Sequence, residues 1–165
     1  MSVEILIALF PAVFMIHEFE EMIWLLGWAK KNLNKMPQNE KLTNTIKLMN
    51  NKRFIFIIFI EYLILLFICI ITIKYAVYNF MVALLIAYII HSVIHIFQTI
   101  IVKSYVPALG TAIITSFYAV YLIFSITMEN DVNIFKIVLL SFTLIIFIYL
   151  FLISMYKIVL QIFKD

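Results

Sequence analysis

The chain has 165 residues, of which 66% are hydrophobic and 13% are charged, whereas soluble domains have roughly 45–50% apolar and about 25% charged residues. A mean hydropathy of +1.14 with only 2 Gly and 3 Pro excludes a soluble globular domain, a disordered chain and a turn-rich β protein. The composition therefore predicts an all-α, polytopic membrane helix bundle, in which the net charge of +3 matters through where the charges lie.

Five apolar segments are long enough to cross roughly 30 Å of hydrocarbon as helices. They cover residues 3–28, 54–73, 80–102, 108–128 and 137–156. The first segment has neither a basic start nor a small-residue cleavage site, so we expect a retained helix and not a signal peptide. We predict one integral membrane domain over residues 1–165, with a basic loop at 29–53.

The basic residues give the predicted orientation. The loop 29–53 is rich in Lys, and the positive-inside rule places it in the cytoplasm. The N-terminus is then outside and the C-terminus is cytoplasmic, and all of the 12 Lys and Arg residues except Lys74 and Lys136 fall on the cytoplasmic side. Within the loop, Leu42, Ile46 and Met49 recur at helical spacing, which favours a short helix on the inner membrane surface.

Several ionisable residues lie within the predicted spans, where such side chains are costly and mark functional sites. They include all 3 His of the chain. The set consists of His17, Glu18, Glu20, Glu21, Glu61, His91 and His95. Counted from the predicted cytoplasmic ends, Glu20, Glu61 and His95 each lie roughly 12 Å deep, and His17 and His91 about one turn deeper.

The helical spacing of these residues agrees with their depth. His17, Glu20 and Glu21 are spaced i, i+3, i+4 and share one helix face, while Glu18 points about 100° away from His17. His91 and His95 are spaced i, i+4 on the third span. We therefore expect the first three helices to converge on one polar level.

Imidazoles and carboxylates at one depth form a set of metal ligands. One version is a mononuclear zinc site with three histidines and a carboxylate acting as general base on a bound water. The other is a dinuclear site of the carboxylate-bridged di-iron type. We predict His17, Glu20, Glu21, His91 and His95 as ligands of a divalent metal, zinc before iron, and Glu61 as the candidate catalytic carboxylate.

The segments HEFEE at 17–21 and HSVIH at 91–95 resemble the motifs of the HXXEE family of small bacterial integral membrane proteins. The resemblance covers essentially the whole chain. It implies a multi-pass protein of a bacterial plasma membrane. It also implies a site at His17, Glu20, Glu21, His91 and His95, but it supplies no reaction, and Glu61 depends on the depth argument alone.

These observations predict an intramembrane metal-dependent enzyme whose site faces the cytoplasm. We expect it to act on a lipid or another membrane-embedded substrate, by hydrolysis before oxidation. One alternative is a proton or metal-ion transporter that uses the same residues, and another is a membrane protein with a structural polar core. Membrane lipids are the expected partners; no nucleic-acid-binding module is recognisable, and the oligomeric state stays open.

Overall fold

The computed structural model describes residues 1–37 and 39–163, and these residues form helices without any strand. The all-α prediction is therefore confirmed for this part of the chain. In chain order the α-helices are α1 (Val3–Glu20), α2 (Leu26–Lys31), α3 (Glu40–Leu48), α4 (Asn51–Tyr75), α5 (Tyr78–Val102), α6 (Leu109–Glu129) and α7 (Ile134–Ile162).

A π-helical segment, Glu21–Leu25, joins α1 to α2 without a loop. The predicted first helix therefore exists as three successive helical pieces. A π-helix inserts an extra residue into a turn, and such turns occur frequently at functional sites. Here the π-helical segment begins at Glu21, one of the predicted metal ligands.

Helices α4, α5, α6 and α7 are each long and apolar enough to cross a membrane. They match the last four predicted spans, with ends that differ by a few residues. The chain is therefore compatible with a multi-pass membrane protein. α1 has the length of a span but carries Glu4, Glu18 and Glu20 within 18 residues, so the fifth span and the orientation of the termini remain predictions.

The main apolar core lies between α1, α4, α5 and α6. Its α1 residues include Leu6, Ile7 and Phe10, which are essentially inaccessible to solvent. Leu85 of α5 and Ile126 of α6 pack in the same cluster. Large apolar side chains on the outer faces of α4, α6 and α7 are exposed, as expected for surfaces that face hydrocarbon.

The loop before α4 contains the predicted amphipathic helix as α3, with Leu42 and Ile46 on it and Met49 as its buried C-cap. Arg53 is also buried, and its guanidinium group donates hydrogen bonds to the carbonyl oxygens of Leu48 and Phe163. This arginine therefore connects the start of α4 to the end of α7, besides adding to the charge of the basic loop.

Candidate metal centre

Four side chains from the first helix and from α5 converge at one point. His17 comes from the last turn of α1, Glu21 begins the π-helical segment, and His91 and His95 lie one turn apart on α5. One ligand atom from each side chain lies within 4.8 Å of all the others. We call these four residues the His/Glu cluster.

The distances within the His/Glu cluster are those of a first coordination sphere. Nε2 of His91 lies 3.3 Å from Nε2 of His17 and 3.3 Å from Nε2 of His95. Oε1 of Glu21 lies 2.9 Å from Nε2 of His95, 3.7 Å from that of His17 and 3.8 Å from that of His91. A tetrahedral zinc site with Zn–N bonds of about 2.0–2.1 Å has ligand–ligand edges of about 3.3 Å. The cluster can therefore hold a metal ion of that size.

The cluster is enclosed on all sides except one. His17 has no solvent-exposed surface, and His95 and Glu21 are also buried, whereas 45% of the His91 side chain is exposed. Every ion-pair partner found for Glu21 in the described chain is a histidine of the cluster. A buried carboxylate needs a compensating positive charge, and a divalent cation would provide it.

Glu20 lies outside the cluster, although it was predicted as a ligand with Glu21. Its carboxylate accepts hydrogen bonds from the hydroxyl of Thr111 at 2.6 Å, the backbone N–H of Thr111 at 3.2 Å and the hydroxyl of Tyr105 at 3.0 Å. Glu20 thus satisfies a free N–H group in the first turn of α6, whose N-cap Ala108 has no side-chain acceptor. Partial burial and the bond to Glu20 raise the pKa of the Tyr105 hydroxyl, which therefore stays a donor.

Thr111 connects Glu20 to the cluster through His17. The Thr111 hydroxyl donates to Glu20, so its oxygen is free to accept from Nδ1–H of His17, 3.3 Å away. With the proton on Nδ1, Nε2 of His17 presents its lone pair to the other cluster atoms. Bonds of this kind orient metal-binding histidines. Sequence reasoning missed Thr111 and the role of Tyr105, because neither stands in a motif with the histidines.

Glu61 of α4 and Glu18 of α1 also lie outside the cluster, on the side where His91 is exposed. Together with His91 they line one end of a cavity of about 240 Å³ that is otherwise almost entirely apolar. Glu18 is 3% exposed, and no hydrogen bond to either carboxyl group is found within the described residues. The structure therefore places the candidate catalytic residue Glu61 beside the open side of the cluster.

These features define a helical chain with membrane-compatible helices and a buried His/Glu cluster able to hold a metal ion. The chain matches the family model described as "Protein of unknown function with HXXEE motif" over residues 8–123. It therefore belongs to this family, and the resemblance inferred from the sequence is confirmed. The matched region contains all four residues of the cluster. No curated protein and no solved structure matches the chain.

Proposed function

We propose that the protein is an intramembrane metal-dependent enzyme, with zinc at the His/Glu cluster and a lipid or another membrane-embedded molecule as substrate. One observation carries the proposal: three imidazole Nε2 atoms and a carboxylate oxygen lie within 4.8 Å of one another, and the separations that involve His91 or Glu21 are 2.9–3.8 Å, close to the edges of a tetrahedral site. Without a proton or a cation between them, the facing lone pairs of these nitrogens repel each other.

The ligand types favour zinc over iron. Three imidazoles and one carboxylate are ligands that zinc accepts in tetrahedral geometry. A carboxylate-bridged di-iron site needs several carboxylates, in helical bundles usually four, around two ions. In this structure Glu20, Glu18 and Glu61 all lie outside the cluster, which leaves one carboxylate and supports a mononuclear site.

An enzymatic role is supported by the connection between the cluster and the apolar cavity. His91 belongs to the cluster and also lines the cavity, so a molecule in the cavity reaches the cluster without crossing bulk water. Bound zinc would supply a Lewis acid, and it would lower the pKa of a water that binds as a fifth ligand or in place of Glu21 toward about 7. Glu61 and Glu18 border the same space, where a carboxyl group can accept a proton and pass it on. These features favour hydrolysis over oxidation.

The packing beyond the cluster argues against a conduit. A path for ions would need polar groups along the whole length of the bundle. In the half of α1 that precedes the cluster, Leu6, Ile7 and Phe10 are buried against apolar residues of α5 and α6. We therefore propose a pocket that opens on one side of the membrane, the cytoplasmic side by the lysine distribution.

The metal content of the detergent-purified protein tests this proposal. We expect zinc near one equivalent per chain in the wild type, and its loss in His17→Ala and in His95→Ala, since each removes one of four ligands. Gln98→Ala is the matched control, because Gln98 is an exposed polar residue on α5 outside the cluster. A wild type that stays metal-free after loading with zinc, or equal zinc in all four proteins, would contradict a metal centre.

A further inference from the structure

One cavity of the described residues has a polar end, and the rest of its lining is almost entirely apolar. Its walls come from α1, α4, α5 and α7. The polar end is formed by Glu18, Glu61 and His91, and the rest is lined by side chains such as Phe14 and Leu144. A cavity that is polar at one end and apolar elsewhere fits an amphiphile and not a polar solute.

The length of the cavity matches a single hydrocarbon chain. The lining extends from Phe10 to Glu18 on α1, which is roughly 12 Å, and from Phe80 to His91 on α5, which is roughly 16 Å. A zigzag of C–C bonds of about 1.5 Å advances about 1.25 Å per carbon. The cavity therefore accommodates roughly ten to thirteen carbons of one chain.

The polar end offers hydrogen-bond acceptors without matching donors. Glu18 is almost completely buried and lines the cavity, and its carboxyl oxygens have no hydrogen-bond partner among the described residues. Glu61 lines the same end and is half-buried, and its carboxyl oxygens likewise have no hydrogen-bond partner among the described residues. Buried acceptors of this kind are costly unless something donates to them. A ligand head group with O–H or N–H groups would satisfy them.

We infer that the cavity holds one acyl or alkyl chain of a lipid whose head group donates hydrogen bonds to Glu18 and Glu61. The head group then lies beside His91, at the open side of the His/Glu cluster. This inference rests on the proposed function and gives its substrate class: a lipid with hydroxyl or amine donors next to the bond that reacts.

Photo-crosslinking in phosphatidylcholine vesicles tests the inference. The probe is a 12-carbon primary alcohol with a diazirine near the end of its chain, and its methyl ether is the matched probe without a donor. We expect cross-links to peptides that line the apolar part of the cavity. The alcohol should label about threefold to tenfold more strongly than the ether, since only the alcohol donates to the carboxyl groups.

Two variants narrow the cavity from two different helices. Leu144→Trp on α7 and Ile68→Phe on α4 replace half-buried lining residues, so that one remains informative if the other fails to fold. Ile146→Trp and Ile70→Phe are the controls, because both residues are exposed on the same helices and do not line the cavity. We expect labelling of the narrowed variants to fall at least about tenfold. A probe that buries two fewer of its methylene groups binds more weakly by about that factor.

Equal labelling of the narrowed and control variants would show that the cavity does not bind the hydrocarbon chain of the probe. Equal labelling by the alcohol and the ether would show that Glu18 and Glu61 do not accept hydrogen bonds from the head group. Zinc is measured in the same preparations. Bound zinc without cavity labelling would refute this inference and leave the metal centre intact. Cavity labelling in a protein that binds no zinc would refute the metal centre instead.

Discussion

Glu20 acts on the His/Glu cluster through another residue, as the hydrogen bonds from Glu20 to Thr111 and from Thr111 to His17 indicate. The Thr111 hydroxyl donates to the carboxylate, and its oxygen can accept from a protonated Nδ1 of His17, which would leave Nε2 of His17 free for the cluster. The removal of such an outer partner typically lowers metal affinity by about 10- to 100-fold while the ligands remain. We therefore propose a positioning role for Glu20, whereas its motif predicts a ligand.

We expect Thr111→Val and Glu20→Gln to weaken zinc binding by about 10- to 100-fold, without abolishing it. Thr111→Val removes the acceptor for His17 at nearly constant volume. Competition with a chelator of known affinity measures the change. Thr127→Val on α6 is the control, since the hydrogen bond found for the Thr127 hydroxyl among the described residues goes to a carbonyl of its own helix. Unchanged affinity in both site variants would show that the Glu20–Thr111 bonds support packing alone.

We expect two acidic residues to have different roles, with Glu21 as a metal ligand and Glu61 as a carboxylate outside the metal site. Glu21→Gln replaces the charged ligand by a neutral amide, so we expect zinc to be lost or bound at least about 100-fold more weakly. Glu61→Gln leaves the cluster untouched, and zinc should remain near its wild-type stoichiometry. Elemental analysis after dialysis against a weak chelator measures the zinc content of both variants. Loss of zinc in Glu61→Gln, with retention in Glu21→Gln, would exchange the roles of the two carboxylates.

The sequence predicts the cluster well because its members occur as two i, i+4 pairs. His17 with Glu21, and His91 with His95, are each adjacent on one helix face, and the spacing alone shows this. Glu20 is different because on a helical wheel it lies about 60° to one side of His17, while Glu21 lies about 40° to the other. In the bundle these two sides face α6 and α5, and only tertiary packing decides which side carries the cluster.

At the level of elements, the predicted spans reproduce the four long helices closely because uninterrupted apolar runs leave the backbone no alternative in hydrocarbon. The π-helical segment Glu21–Leu25 was not predicted. Its residues have the same apolar and acidic character as an ordinary helical turn, so composition and periodicity give no signal. The contact of Arg53 with the end of α7 was also missed, since it joins residues 110 positions apart.

Arg53 should contribute strongly to the attachment of α7. Its guanidinium group donates from two different nitrogens to carbonyl oxygens of two separate segments, at Leu48 and Phe163, and a single ammonium nitrogen does not offer this planar spread of donors. We expect Arg53→Ala to lower the free energy of unfolding by about 2–4 kcal/mol and Arg53→Lys by less. Unfolding in mixed micelles followed by circular dichroism measures this. Lys52→Ala, at an exposed neighbouring position, should change it by less than about 0.5 kcal/mol.

For the whole molecule, the open question is whether α1 crosses the bilayer together with the four longer helices. α1 and α6 contact each other along their length: near one end Glu20 binds Thr111, and farther along the backbone oxygen of Leu6 accepts a hydrogen bond from Tyr118. Two antiparallel helices that touch over this distance share the same depth. Because α6 is long and apolar enough to span a membrane, we expect α1 to span it as well.

The position of the N-terminus separates the two topologies, since four and five spans both place the described end of α7, where Phe163 binds Arg53, on the side of the basic loop. In a Cys69→Ala background, which removes the single cysteine, Ser2→Cys and Asn44→Cys place one thiol at each exposed position. Five spans predict that a membrane-impermeant maleimide added to intact cells labels Ser2→Cys and not Asn44→Cys, while both react after permeabilisation. Asp131→Cys, in the exposed turn between α6 and α7, should behave like Ser2→Cys. If Asp131→Cys reacts from outside and Ser2→Cys does not, then both ends of α1 lie on the same side of the membrane. In that case α1 is a re-entrant helix that reaches the polar end of the bundle without crossing the membrane.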